Sequence, residues 1–334
     1  MAAKGEPVMT SLAPASPRLN RRSVIALATA ATLSAHATTS LADIAPTITQ
    51  LAGGTLSRYA HFPSRHVAPR TIAVWTPRDY APAQHHYGAL YMHDGQNLFS
   101  PDEAFGGQTW EIAQHVQALI DAGRIPPTLI VGVWNSGASR GREYAPLLGQ
   151  SQEDIARLAT DWGGPSLSAA YLTFLIDELK PFIDGHYSTA PDPNNTFIMG
   201  SSMGGLASLN AYLARPDIFG GAGCVSTHWP IRGPAALSDD AARADADRIG
   251  RAFIAAAAAA LPPPGRLKVY FDHGDQTLDA LYAPYQAAMD QALLARGAQA
   301  GKDFLSLAFP GADHSEKSWR ARVDKPLIYL LGAR

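Results

Sequence analysis

The sequence predicts an α/β protein with a mostly parallel central sheet and helices on both of its faces. Two observations carry that expectation. Short apolar runs of strand length, among them Gly88–Met92, Thr128–Val133 and Gly221–Ser226, alternate with segments of helical period. One further run, Phe197-Ile198-Met199, enters Gly200-Ser201-Ser202-Met203-Gly204 and then a small-residue helical pattern, which reads as strand, sharp turn and helix. Strands alternating with helices over one stretch, with no repeat or linker to divide it, favour a single parallel-sheet domain.

In chain order, residues 1–42 read as a targeting segment. Arg18, Arg21 and Arg22 precede the apolar run Val24–Ala35, and Ala35-His36-Ala37 or Ser40-Leu41-Ala42 offers a cleavage site. The run is too short to span a bilayer, and the adjacent arginines with a long polar leader resemble a twin-arginine signal. The expectation is a periplasmic or secreted protein without a stable membrane anchor, whose catalytic domain occupies residues 51–334. A disordered tail or an anchor is the competing reading.

Two segments, Thr55–Phe62 and Thr71–Pro77, open the sheet as an antiparallel pair. Gly88–Met92 is the next strand and runs into His93-Asp94-Gly95-Gln96-Asn97. Trp110–Ala122 places Ile112, Val116 and Leu119 on one helical face. The strand Thr128–Val133 leads through Trp134-Asn135 to a loop carrying Arg140, Arg142, Glu143 and Tyr144. That loop is either a pocket rim or a structural ion-pair cluster. Ala169–Ile183 reads as a helix, followed by the 197–199 strand, the helix Gly204–Leu213 and the strand Gly221–Ser226. Asp239–Leu261 is helical up to Pro262-Pro263-Pro264-Gly265. Leu267–Phe271 is a strand, Leu281–Ala298 a helix, Phe304–Phe309 the last strand and Glu316–Leu331 a closing helix.

Composition excludes several function classes. A net charge of −2 leaves no basic footprint for nucleic acid and no polybasic membrane patch. Cys224 is the only cysteine, so neither an internal disulfide nor a cysteine-based metal site can form, and its apolar setting fits an inert thiol. His93-Asp94 lacks a third ligand at metal-site spacing, and no metal or other cofactor is expected.

The chemistry gathers around Ser202. In Gly-x-Ser-x-Gly the flanking glycines let a serine stand clear of a strained turn. The following helix aims its N-terminal N–H groups at the same place. Proteins with such an elbow take one oxyanion donor from the loop after an early strand, which nominates the N–H of Gln96. They order the partners Ser, then Asp or Glu, then His. His314, in the turn after the final strand, is the candidate general base. Asp272, Asp275 and Asp279 all occupy the loop expected to hold the acid; Asp279 is favoured and Asp275 second. Past the strand Gly221–Ser226, His228 and Trp229 stand where sites form in such sheets. Trp134, Arg142, Tyr144, His228 and Trp229 are the possible pocket residues, with simple packing the alternative for Trp229.

Several motifs together resemble the esterase D-like esterase family of α/β-hydrolases, relatives of feruloyl and enterochelin esterases. They are Val74-Trp75-Thr76-Pro77, Tyr91–Phe99, Val133-Trp134-Asn135 with Arg142-Glu143-Tyr144, Glu178–Asp184, Gly200–Gly205 and Asp313-His314-Ser315. The resemblance implies an α/β-hydrolase fold and a Ser202–Asp279–His314 triad. It also implies an oxyanion hole from the N–H groups of Gln96 and Met203. The Gly-x-x-Asp spacing common in the family is not kept, since Thr277 stands at that place. The implied activity is hydrolysis of a small-molecule, carbohydrate or siderophore ester through an acyl-enzyme. An acyltransferase using the same triad with an alcohol acceptor is the alternative, and a binding module with a decayed site the third reading.

Overall fold

The computed structural model describes residues 44–237 and 240–332, so the expected signal segment 1–42 lies outside the described residues. Among these, one sheet is built from β1 (Thr47–Leu51), β2 (Gly54–Phe62), β3 (Arg70–Thr76), β4 (Gly88–His93), β5 (Thr128–Val133), β6 (Thr196–Ser201), β7 (Gly221–Val225), β8 (Val269–His273) and β9 (Phe304–Ala308). The order is β1-β2-β3-β5-β4-β6-β7-β8-β9. The pairs β1–β2, β2–β3 and β3–β5 are antiparallel, and β5 through β9 are parallel.

The apolar runs are continuous because both faces of the sheet are covered. Alternate side chains of a strand point to opposite faces. Ile72, Val74, Ala89, Tyr91, Val131 and Ile198 therefore enter one core, whereas Ala73, Trp75, Leu90, Met92, Ile130, Phe197 and Met199 enter the other. The helices, in chain order, are α1 (Ile112–Asp121), α2 (Arg140–Tyr144), α3 (Gln152–Asp161), α4 (Ser168–Thr173), α5 (Lys180–His186), α6 (Met203–Ala214), α7 (Asp240–Ala260), α8 (Ala283–Ala295), α9 (Glu316–Arg320) and α10 (Asp324–Leu331). α1 and α10 cover the second core, and α4 to α8 the first.

Four elements differ from expectation, each for a local reason. The sheet begins at Thr47, ahead of the expected boundary at residue 51. β1 is an edge strand with four of its five residues exposed, so it carries no apolar run. α3 was not expected, because it is polar over most of its surface; its start is marked by Ser151, whose hydroxyl accepts from the Asp154 N–H at 3.2 Å. The helix expected over 169–183 passes from α4 to α5 through a π-helical segment, Phe174–Leu179. Pro181 has no N–H to donate, and the wider bonding before it, Lys180 N–H to the Leu175 carbonyl, lets the helix continue. The closing helix breaks into α9 and α10, which puts Pro326 in a first turn where no donor is needed.

The Arg140–Tyr144 region carries the ion pairs that one of its two readings expects. Glu143 takes two hydrogen bonds from the Arg70 guanidinium, at 2.7 and 2.9 Å, and both side chains are 1% exposed. Arg70 also lies over the rings of Tyr171 and Phe174, at 5.2 and 5.1 Å. Breaking such a pair strands a buried charge. Glu143→Ala should lower stability by about 3–5 kcal/mol in urea unfolding, and a loss below about 1 kcal/mol would show that Arg70 finds another partner.

Candidate active site

The site residues stand where the parallel strands end. Ser202 follows β6, His228 follows β7, Asp279 lies beyond β8 and His314 beyond β9. This is the edge at which open α/β sheets bind ligands. Hollows of about 320 and 510 Å³ lie instead at the opposite edge, beside Gly88 and Asn195, and neither is lined by Ser202 or His314.

Ser202 sits at φ 57°, ψ −124°, a conformation that costs a side-chain-bearing residue about 1–3 kcal/mol. Its N–H is tied to the Val225 carbonyl at 2.9 Å, which anchors the turn to β7. The glycines of the motif follow from contact. A Cβ on Gly200 would stand 2.8 Å from the Gly204 backbone, and one on Gly204 would stand 3.3 Å from the His93 Cβ. The turn closes only without a side chain at Gly200, and one at Gly204 would press His93 back by a few tenths of an ångström.

Ser202, His314 and Asp279 form one hydrogen-bonded line. Ser202 Oγ lies 2.9 Å from His314 Nε2, and His314 Nδ1 lies 2.5 Å from Asp279 Oδ1. With Nδ1–H donating to the carboxylate, Nε2 is left as acceptor for the serine hydroxyl. Asp279 Oδ2 accepts from the Ser226 hydroxyl and the Gly274 N–H, each at 2.6 Å. Burial alone would raise the Asp279 pKa, but the bonds from His314, Ser226 and Gly274 prevail and hold it below the usual carboxylate range. The arrangement can move a proton from Ser202 to His314 while the carboxylate stabilises the imidazolium.

The other two carboxylates of that loop are engaged elsewhere. Asp272 accepts from the Tyr270 hydroxyl at 2.7 Å and from Arg322 at 3.1 Å, behind the line. Asp275 is exposed and braces the Gly311 N–H at 2.7 Å. Thr277, at the place where the family commonly has aspartate, accepts from the His314 N–H at 2.9 Å and so fixes the histidine turn.

The turn after β4 supplies a second wall. Asp94 takes the left-handed conformation, φ 55°, and starts the short 3-10 helix Gly95–Asn97. Gly95 is required by close approach: a Cβ there would meet the Gly132 and Val133 backbone at 2.6–2.9 Å. Asp94 receives bonds from Arg140 Nε and Nη2, both at 2.7 Å, and from Asn135 Nδ2 at 2.7 Å. Burial opposes this charge, yet Arg140 outweighs it and lowers the Asp94 pKa. Gln96 and Met203 each stand in the first turn of a helix, where backbone N–H groups have no partner within the helix. Asn97 Nδ2 donates to Glu316 Oε1 at 3.0 Å, joining this turn to the start of α9 beside His314.

The possible pocket residues divide. Trp134 is half-buried; its backbone N–H donates to the Thr71 carbonyl at 3.1 Å, and its buried indole N–H has no hydrogen-bond partner. Arg142 holds the Pro165 carbonyl at 2.8 Å, a structural clamp. Tyr144 is fully buried under the Asp94 turn, its hydroxyl accepting from the Asp94 N–H at 3.3 Å, so it supports that turn instead of lining a rim. Trp229 is 1% exposed and packs on Phe253 and Phe271, which makes it a core residue. His228 is buried behind Ser202 with its Nδ1 2.7 Å from the Tyr282 hydroxyl. Sequence reasoning missed Ser226, Arg322 and Trp319, which together back Asp279. It also missed Tyr282, for which the only signal was its place three residues after Asp279.

Comparison with known proteins places these features in a wider group. The family described as "Putative esterase" matches residues 66–330. The protein YbbA of Bacillus subtilis (strain 168) is 26% identical over 161 residues, 48% of this chain and 58% of that protein. Ferri-bacillibactin esterase BesA of the same organism is 27% identical over 150 residues, 43% of this chain and 49% of that protein. The chain thus spans about half the length of these relatives. A solved ferulic acid esterase superposes with a TM-score of 0.55 at 17% identity, covering 83% of this chain and 98% of its own. No helix among the described residues is long and apolar enough to cross a membrane.

Proposed function

The chain belongs to the esterase family that matches it over residues 66–330, and on that premise we propose an exported serine carboxylic-ester hydrolase. The observation that carries the reading is the line from Ser202 Oγ through His314 to Asp279, at 2.9 and 2.5 Å. Ser202 Oγ attacks the ester carbonyl as its proton passes to His314 Nε2. The oxyanion is held by the N–H groups of Gln96 and Met203. His314 then gives the proton to the departing alcohol oxygen, the C–O bond breaks, and an acyl-enzyme remains. Water repeats the attack, losing a proton to His314, which returns it to Ser202 as the acid leaves. No step calls for a cofactor.

The substrate is a small-molecule ester. A named siderophore esterase and a ferulic acid esterase among the similar proteins favour siderophore, carbohydrate or aromatic-acid esters. The Arg21-Arg22 leader supports export. The test is fluorophosphonate labelling of the purified protein followed by peptide mapping. A single adduct is expected on Ser202, with a processed N-terminus after Ala37 or Ala42. Folded protein without an adduct would overturn the nucleophile, and an intact Met1 after expression in an exporting host would overturn export.

A further inference from the structure

Behind the nucleophile, Tyr282 touches all three members of the Ser202–His314–Asp279 line. Its N–H donates to the Asp279 carbonyl at 3.0 Å. Its ring meets that of His314 edge-on, with centroids 5.7 Å apart. Its hydroxyl lies beside the Ser202 side chain. The side chain is fully buried, so no bulk water competes for that hydroxyl.

His228 decides what the hydroxyl can do. Its Nε2 is 2.9 Å from the Arg232 carbonyl oxygen, which can only accept, so Nε2 carries a proton. Burial lowers the His228 pKa to about 4 and outweighs the opposing bond to the Arg232 carbonyl, with the Arg140 charge adding to the lowering, and the ring is neutral at pH 7. Nδ1 is then an acceptor, and the Tyr282 hydroxyl 2.7 Å away must donate to it. Two anchors keep the pair in register: the His228 N–H on the Ser202 carbonyl at 3.2 Å, and the Arg232 guanidinium on Asp161 at 2.7 and 2.9 Å. Tyr282 has one proton, and His228 holds it. The tyrosine oxygen can offer Ser202 only lone pairs.

We propose that His228 and Tyr282 are a positioning pair that keeps a hydrogen-bond donor off the nucleophile. An O–H pointing at Ser202 Oγ would tie up the lone pair that has to attack the ester. With that proton turned to His228, the Oγ lone pairs stay free while its hydrogen is aligned for His314. Without His228, the buried tyrosine hydroxyl would need another acceptor, and Ser202 lies beside it. The inference rests on Ser202 being the nucleophile, and its test separates the two.

The test compares His228→Leu with the double variant His228→Leu/Tyr282→Phe, reading kcat and KM on a small aryl ester and the rate of fluorophosphonate labelling. His228→Leu should lower kcat and the labelling rate about tenfold with KM unchanged, the size of one misdirected hydrogen bond. Removing the tyrosine hydroxyl in that background should restore both to within about threefold of the native protein. A packing role for His228 predicts no such rescue, so a double variant no faster than the single one overturns the pair, as does an unchanged kcat in His228→Leu. If the native protein itself is not labelled, the nucleophile assignment fails instead. Should the variants not fold, nitrogen-15 NMR of the native protein decides. A neutral His228 protonated on Nε2 supports the pair, and an Nδ1–H tautomer or an imidazolium at pH 7 overturns it.

Discussion

Replacing Ser202 with alanine is expected to lower kcat for a small aryl ester by about 10⁶-fold, with the fold intact. That factor corresponds to about 8 kcal/mol of barrier. It is large because the members of such a line act as a unit: without Oγ, neither His314 nor Asp279 has a proton to handle. What survives comes from the oxyanion donors and from binding, about 10³–10⁴ over the uncatalysed reaction. The elbow holds a second serine, Ser201, buried in β6 and paired in register with Val225. Ser201→Ala should therefore keep kcat within about threefold. Stopped assays on the two purified variants separate the residues. A Ser202→Ala protein that retains a hundredth of the native rate would place the nucleophile elsewhere.

Much of this arrangement is written in local sequence, and the part that is not has a physical reason. Phe197-Ile198-Met199 and Thr128–Val133 announce central strands because a parallel sheet buries both of their faces. Thr47–Leu51 announces nothing, since an edge strand in water needs no apolar residues. Ser202 stands out through the glycines its turn demands, and His314 through chain order. The acid is harder. Asp272, Asp275 and Asp279 lie within eight residues, and no local pattern separates them. Their fates depend on how the 3-10 turn Thr277–Leu281 is held against distant groups: Ser226 on β7's exit, and His314 after β9. Tyr144 and Trp229 illustrate the same limit. An aromatic residue near a strand end can face the site or the core beneath it, and in both cases the core has it. The Arg140–Asp94 pair spans 46 residues and joins two loops, so neither loop alone reveals it.

The acid gives the second large effect. Asp279→Asn should lower kcat about 10⁴-fold, because an amide no longer holds the histidine in the tautomer that accepts the serine proton. Asp275→Asn, altering an exposed turn, should stay within about threefold of native. The same variant tests the electrostatics. Asp279 has its pKa lowered on folding, so its ionised form stabilises the native state above the unfolded value of about 3.9. That contribution is lost as the pH falls through the lower folded value. Asparagine cannot supply it, and its amide would confront the Ser226 and Gly274 donors with further N–H groups. Urea unfolding should then show Asp279→Asn less stable than native at pH 7, with the gap shrinking on acidification below about pH 4. A gap that widened instead would mean that Asp279 is protonated in the folded protein, and a neutral acid could not stabilise an imidazolium on His314.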